Sequence, residues 1–294
     1  MTLSISGIGI GFRRAHFETL FLSERSPDWL EVVSENYLDA TGRPDLVLSR
    51  AQSRWPIVAH GVSLNIGADT PLDVAYLGSL GRLLDRVGAE VVSDHLCWSA
   101  LGDWHSLDLL PLPWSEPFVE HCVRRIAQAR AVLGRPLMLE NITQYASMPG
   151  STMSQGAFVS AVLELSDSGL LLDLNNLYVN AKNSGSSPDD LLRELPLARA
   201  WQVHLAGHRL EQPPQSVRET AERTQGVAEA LWLDDHGAAV CDDVWALYET
   251  ALQLCGPIPT LIEWDTRIPP IEILMDEVDR ARAVCARVLG GSAP

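Results

Sequence analysis

The chain has 294 residues, 46% of them hydrophobic, and a formal net charge of −16 from 38 acidic and 22 basic residues. Surfaces that bind nucleic acid are usually basic, so this charge argues against a nucleic-acid partner. The sequence shows no signal peptide and no apolar run near the roughly 20 residues that cross a bilayer. Its five cysteines lack C-x-x-C spacing, which is typical of a reducing compartment. We therefore expect a cytoplasmic protein without membrane contact.

Short apolar runs alternate with helical patterns along the whole chain. The predicted strands cover residues 7–11, 29–33, 57–59, 91–94, 137–139, 170–172, 200–203 and 260–262. Predicted helices cover residues 16–22, 69–87, 115–134, 154–166, 242–255 and 271–289, and residues 187–190 begin a further one. Asp69 is the expected cap of the second helix, because Pro71 follows it in the first turn. The glycines of the first strand, including Gly9 and Gly11, are expected to leave room for a nearby substrate.

Strand–helix alternation predicts a parallel sheet, and eight such units that close on themselves predict an α/β protein with a (β/α)8 TIM barrel. An open, doubly wound sheet is the alternative, but it would not bring many strand ends to one point. We expect a single barrel domain over residues 1–294. Reactive groups in such barrels lie at the carboxyl ends of the strands.

Two segments interrupt the alternation. Residues 97–114 form a long aromatic loop after the fourth strand, where they either line a groove or pack over the barrel mouth. Residues 209–230 are polar and irregular, and we expect an insertion there that is a mobile loop or lid, or a short surface helix.

Six of the predicted strands run directly into a histidine or an acidic residue. Alone, such a histidine is an ordinary hydrogen-bonded residue, and such a carboxylate caps the next helix. Together they predict one metal site, because several buried carboxylates on one face are costly unless a cation neutralises them. Nitrogen and carboxylate ligands suit iron, manganese or zinc. The strand-end residues are His60, His95, Glu140, Asp173, His204 and Glu263.

Two short spacings extend this set. Asn176 follows Asp173 by three residues, and His236 follows Asp234 by two. The order of all nine residues resembles the metal set of the xylose-isomerase-like barrel superfamily. Its apurinic endonuclease branch holds three zinc ions but has histidine at the position of Asn176.

Longer motifs resemble one family within that superfamily, the DUF692 family, also called UPF0276. The motifs are His60-Gly61-Val62, Ser93-Asp94-His95-Leu96, Leu139-Glu140-Asn141, residues 173–180 (DLNNLYVN), residues 204–208 (HLAGH), Asp235-His236-Gly237 and Ile262-Glu263-Trp264-Asp265. The resemblance runs from about Gly7 to Leu289. This family consists of multinuclear non-haem iron-dependent oxidative enzymes and includes the methanobactin biosynthesis oxygenase.

The resemblance implies two or three iron ions of mixed Fe(II)/Fe(III) state, with O2 as co-substrate. It implies a cysteine-containing, ribosomally synthesised precursor peptide as substrate, and a small partner protein that binds the peptide leader. Carried over to this sequence, the first iron would be bound by His60, His95 and Glu140. Glu140 would bridge to the second iron, which Asp173, His204 and Glu263 complete, and Asn176, Asp234 and His236 would hold a third.

Two residues are candidates for a direct catalytic role. Asn176 is a neutral residue in the third site, where open coordination positions are needed. His208 is either an additional ligand or a residue that contacts the ligands. Three other functions use the same residues: a divalent-metal phosphodiesterase of the apurinic endonuclease type, a sugar isomerase with two divalent ions, and a scaffold protein stabilised by metal.

Overall fold

The computed structural model describes residues 4–102, 104–224 and 230–290. In chain order the strands are β1 (Ile8–Gly11), β2 (Trp29–Val33), β3 (Ile57–His60), β4 (Val92–His95), β5 (Trp98–Leu101), β6 (Trp104–Leu110), β7 (Leu137–Glu140), β8 (Gly169–Asp173), β9 (Ala200–Leu205), β10 (Arg209–Glu211), β11 (Leu231–Leu233) and β12 (Thr260–Ile262). The α-helices are α1 (Thr19–Leu22), α2 (Arg43–Gln52), α3 (Val74–Val87), α4 (Glu116–Leu133), α5 (Gln155–Ser166), α6 (Leu174–Ser184), α7 (Pro188–Glu194), α8 (Gln215–Thr224), α9 (Asp242–Cys255) and α10 (Ile271–Val288).

Eight strands form a closed barrel in the order β1-β12-β9-β8-β7-β4-β3-β2. All neighbouring barrel strands are parallel, which confirms the predicted (β/α)8 fold. The register places His95 opposite Glu140 and Asp173 opposite His204. Residues at the ends of adjacent strands therefore become neighbours in space.

The direction of the strand-end side chains follows from the period of a strand, in which alternate residues share a face. Trp29 and Leu261 belong to a small apolar cluster. This cluster is separate from the main hydrophobic core, which lies between the sheet and the helices. Met138 and Leu171 belong to a second such cluster. These residues face the barrel interior, so the polar residues two positions later on the same strands also face it.

The space above the first-strand glycines is filled by protein. A Cβ on Gly9 would lie 2.4 Å from the ring of Trp29, and one on Gly11 would lie 2.9 Å from the Arg13 guanidinium. Trp29 is fully buried. The expectation that these glycines leave room for a substrate is therefore wrong, because they make room for two side chains of the protein itself.

Several helix boundaries differ from the predicted ones. In place of the single helix predicted for residues 16–22, the structure has a 3₁₀ turn (Arg14–His16) followed by the short α1. Helix α3 is capped by Asp73, whose side chain accepts hydrogen bonds from the backbone nitrogens of Ala75 and Tyr76, and not by Asp69. Helix α2 was not predicted. Its mean hydropathy is low and it has only two buried side chains, so an apolar period is hardly visible in the sequence.

The two interrupting segments both contain β-structure. The predicted aromatic loop is an antiparallel hairpin of β5 and β6. The polar segment contains β10, which pairs antiparallel with β11 directly after the segment, and the surface helix α8, while residues 225–229 lie outside the described residues. In the described part of the chain, no helix is both long and apolar enough to cross a membrane.

Candidate metal centre

The ends of β3, β4 and β7 bring two histidines to one carboxylate oxygen. The Nε2 atoms of His60 and His95 each lie 3.4 Å from Oε2 of Glu140. All three side chains are buried, and Glu140 Oε2 has no hydrogen-bond partner. The other ring nitrogen of His60, Nδ1, is 2.9 Å from the Ser93 hydroxyl. Each imidazole therefore directs Nε2 at a point that it shares with Glu140.

A second group lies across the barrel around His204, whose side chain is fully buried. Its Nδ1 lies 3.1 Å from Oε2 of Glu263 and 3.9 Å from Oε2 of Glu140. Its Nε2 lies 3.2 Å from Oε2 of Glu31 on β2. The ligand atoms of Glu31, His204 and Glu263 all lie within 4.8 Å of one another.

Asp173 has two functions at the end of β8. Its Oδ1 accepts a hydrogen bond of 2.6 Å from the backbone nitrogen of Asn176 and so caps α6. Its Oδ2 is buried and has no hydrogen-bond partner. A carboxylate oxygen of Asp173 lies within 4.8 Å of the ligand atoms of Glu140 and His204, and also within 4.8 Å of those of His236 and Glu263. The oxygen that caps α6 is therefore not the oxygen that is left available to a metal.

The loop after β11 brings Asp234 and His236 to the same centre. His236 Nδ1 lies 3.4 Å from Oε2 of Glu263, and its Nε2 lies 2.6 Å from Oδ1 of Asp234. Asp234 also accepts a 2.6 Å hydrogen bond from the side-chain amide of Asn175. Of this pair, His236 lies at ligand spacing with Asp173 and Glu263, and Asp234 reaches the centre through His236.

The two candidate catalytic residues lie in different surroundings. Asn176 donates from Nδ2 to Glu140 Oε1 at 3.3 Å, and its Oδ1 accepts from the Thr143 hydroxyl at 2.8 Å. His208 shares a 2.6 Å hydrogen bond with Asn175 Oδ1 and packs between the rings of Tyr178 and Trp232. Asn176 thus contacts the cluster directly, whereas His208 reaches it through Asn175. Their catalytic roles stay predictions.

Sequence reasoning missed two residues of this centre. Glu31 lies in the middle of β2, so a search of strand ends passes over it, although it follows Trp29 by two residues and therefore faces the interior. Arg13 donates to Glu263 Oε1 at 3.0 Å and to Asp265 at 2.6 Å. No periodic signal marks Arg13, because it lies in a loop after β1.

Burial and mutual repulsion determine the charges of the centre. Burial raises the pKa of Glu140 well above its usual value and that of Asp173 to about 7. Burial also lowers the pKa of His95 to about 4, and it lowers that of His60, helped by the nearby His95. These two histidines are therefore neutral with available lone pairs, and burial favours the protonated forms of Glu140 and Asp173, whose protons a cation would displace.

The donor set fits a bound metal. Buried polar atoms in proteins are nearly always hydrogen-bonded, yet Glu140 Oε2, Asp173 Oδ2 and His204 Nδ1 are buried without a partner. All three atoms are potential ligands directed into one cluster. Imidazole and carboxylate donors without thiolate suit iron, zinc or manganese.

The cluster opens into a cavity of about 510 Å³. Its walls combine His60, His95 and His236 with the β5–β6 hairpin, which contributes His105 and Leu107. Leu107 is 96% exposed and adopts a left-handed backbone conformation (φ 58°). The hairpin therefore forms one side of the entrance to the candidate metal centre.

The metal-free protein is expected to lose stability between pH 6.5 and pH 8. Burial, strengthened by Glu35, raises the pKa of Asp94 to about 8, and that of Asp173 is about 7, whereas unfolded aspartate releases its proton near pH 4. The folded state thus binds more protons, and stability falls as pH rises. The raised pKa of His204 also makes stability fall as the pH rises above 6.5. The lowered pKa of His95 affects stability only below pH 6.5.

A fully retained proton contributes about 1.4 kcal/mol per pH unit. Because Asp173 and Asp94 lose their protons within this window, these two residues alone should lower stability by roughly 2 kcal/mol, and Glu140 and His204 add to the fall. Urea unfolding of chelator-treated protein at several pH values measures it. Zinc should reduce the dependence, because a bound cation holds the carboxylates ionised. Constant or rising stability between these pH values would contradict the assignment of protons to the carboxyls.

Comparison with solved structures supports the class of fold. The chain superposes on 3-keto-D-glucoside 4-epimerase from E. coli with a TM-score of 0.57 at 14% identity, covering 95% of this chain and 99% of that one. It superposes on a xylose isomerase-like TIM barrel protein from Mycobacterium smegmatis, in complex with magnesium, with a TM-score of 0.52 at 15% identity, covering 86% and 81%. At these identities the likeness shows the fold alone: a xylose-isomerase-like TIM barrel.

Sequence comparison defines the family. Residues 7–286 match the family described as RiPP precursor modification enzyme MbnB/TglH/ChrH, where RiPP denotes a ribosomally synthesised and post-translationally modified peptide. The chain is 40% identical over 288 residues to a UPF0276 protein of Anaeromyxobacter sp. (strain Fw109-5), covering 98% of this chain and 96% of the relative. It is 39% identical to a UPF0276 protein of Caulobacter vibrioides (strain NA1000 / CB15N), covering 99% of both. The chain therefore belongs to this family of precursor-peptide-modifying enzymes, which confirms the predicted family.

Proposed function

We propose that the protein uses iron and O2 to oxidise a cysteine residue of a ribosomally made precursor peptide. Membership of a precursor-modifying family supports the peptide substrate. The observation that carries the metal part is Glu140 Oε2, which is buried, unpaired and 3.4 Å from two imidazole nitrogens. Glu140 Oε2 would be available to a metal ion, whereas Oε1 accepts a hydrogen bond from Asn176.

Two or three bound irons would supply the redox electrons for O2 activation and a position for the substrate thiolate. Around them, His60, His95, Glu140, Asp173, His204, Asp234, His236 and Glu263 are the residues that would hold the ions, with Asn176 beside them. The lowered pKa of His60 and His95 keeps both imidazoles neutral for binding. Arg13 balances part of the negative charge through Glu263 and Asp265.

The cavity beside the cluster fits the proposed peptide substrate. Its volume of about 510 Å³ accommodates several residues of an extended chain. The exposed side chains of Leu101, Trp104 and Leu107 on the hairpin offer apolar contacts to such a chain. We further propose, on the resemblance to the family, that a small partner protein binds the leader and presents the peptide at this entrance.

The test is anaerobic mixing of the iron-loaded protein with a cysteine-containing precursor peptide, followed by exposure to air. We expect a thiolate-to-iron absorption band before exposure, then O2 consumption and a change in the intact mass of the peptide. The matched controls are the peptide with its cysteine replaced by serine and the protein loaded with zinc. Absence of both the band and O2 consumption would overturn the proposal.

A sugar isomerase or epimerase is distinguished by its independence of O2. The similar epimerases share the fold at 11–15% identity, which carries no argument about the substrate. Sugar conversion by the metal-loaded protein under strict anaerobiosis would favour that function. Cleavage of abasic DNA by the zinc-loaded protein would favour a phosphodiesterase, against which the charge of −16 argues.

A further inference from the structure

Both ring nitrogens of His204 face carboxylates. Nδ1 lies 3.1 Å from Glu263 and 3.9 Å from Glu140, and it has no hydrogen-bond partner. Nε2 lies 3.2 Å from Glu31. A neutral imidazole donates from one nitrogen and offers a lone pair on the other, so the partner of one nitrogen decides which nitrogen can bind a metal.

Glu31 lies inside the barrel, where its carboxylate accepts hydrogen bonds on the Nε2 side of His204. It is 1% exposed, and its Oε2 accepts a 2.7 Å hydrogen bond from Nε2 of Gln202, a fully buried side chain. The Gln202 and His204 Nε2 atoms are 2.9 Å apart, so in the opposite tautomer Gln202 would donate to His204 Nε2. The charged Glu31 carboxylate is the stronger acceptor, which favours the tautomer in which Nε2 donates to Glu31. Glu31 and His204 thus form a carboxylate–imidazole pair on the side of the ring that faces away from Glu140.

We propose that Glu31 is a positioning residue that holds His204 as the Nε2–H tautomer and thereby makes Nδ1 the metal-binding nitrogen. Ligating histidines commonly donate their second N–H to a carboxylate, which fixes the ring and increases its basicity as a ligand. The arrangement rests on the metal-binding part of the proposed function. It does not depend on iron, O2 or the peptide, so its test uses metal binding alone.

The first experiment is cobalt(II) binding to the Glu31→Gln variant, followed by equilibrium dialysis and by the visible absorption of the bound cobalt. We expect affinity at the His204 position to fall by about 10–100-fold, with a changed cobalt spectrum. Circular dichroism of the metal-free variant should match the parent protein, because glutamine has the shape of glutamate. Unchanged affinity and spectrum would overturn the proposal.

The matched control is Glu277→Gln on α10. Glu277 is also a buried glutamate, at 8% exposure, with an oxygen that lacks a hydrogen-bond partner, but it takes no part in the cluster. We expect its cobalt affinity and spectrum to equal those of the parent protein. An equal loss in both variants would overturn the proposal, because it would show a general effect of removing a buried charge.

A second experiment uses the unmodified sequence and so does not depend on a variant that folds. In the zinc-loaded protein labelled with ¹⁵N-histidine, the nitrogen shifts report which nitrogen of each ring carries the proton. We expect His204 to be protonated at Nε2 and metal-bound at Nδ1. Protonation at Nδ1, or zinc bound at Nε2 together with Glu31, would contradict the proposed arrangement.

Discussion

Replacing Glu140 by glutamine is expected to remove metal binding and to abolish peptide modification while the barrel stays folded. Burial raises the pKa of Glu140 well above its usual value, which favours the protonated form of this carboxyl in the metal-free protein. Glutamine resembles that form in shape and charge, so the free energy of unfolding without metal should change little. The neutral amide cannot replace a carboxylate between two histidines and a cation.

The expected loss is larger than for a residue that only orients a ligand, where metal affinity falls about 10–100-fold. Metal content per chain after dialysis, together with O2 consumption in the presence of a precursor peptide, measures it. Glu277→Gln again provides a buried control outside the cluster. A Glu140→Gln protein with full metal content would exclude Glu140 as the shared ligand.

Replacing Trp29 by alanine should have the largest effect on stability. Trp29 is fully buried at the start of β2, and its ring lies against the backbone of Gly9 on β1. Removing a buried tryptophan leaves a cavity and costs about 3–5 kcal/mol. For a chain of this size the expected shift in Tm is on the order of 10 °C.

Trp29→Phe, which keeps most of the ring, should lose less than half as much stability. Thermal unfolding of the metal-free variants measures the difference. A Gly9→Ala variant tests the same packing from the other side, because its Cβ would meet the Trp29 ring at 2.4 Å. Equal stabilities for the three variants and the parent protein would show that this end of the barrel is not closely packed.

The barrel could be predicted because its signal is repeated eight times. Most barrel strands contain a run of buried apolar residues, as in β8, where all five residues are buried, and this produces short apolar runs in the sequence. Helix α2 and the β5–β6 hairpin gave weaker signals. The hairpin is short, none of its strand residues is buried, and aromatic residues such as Trp98 and Trp104 occur in loops as well as in strands.

The meeting of the strand-end residues in one cluster could be predicted because topology alone brings them together, whereas their role as metal ligands stays a prediction. The sequence does not reveal contacts made by side chains that lie below the strand ends or approach from loops. Glu31 binds His204 only because β2 and β9 lie across the closed barrel from one another. Arg13 contacts Glu263, which lies 250 residues later in the chain, because β1 pairs with β12. Both contacts depend on closure of the barrel.

The cap that Asp173 provides for α6 has a consequence for how the site can vary. The same side chain begins a helix with one oxygen and faces the cluster with the other. A change in its position would move the first turn of α6, which includes Asn175 and Asn176, and with it their contacts to Asp234 and Glu140. Substitution at Asp173 therefore changes the scaffold as well as the proposed metal ligand, and its effects will not add to those of substitutions at Asn175 or Asn176.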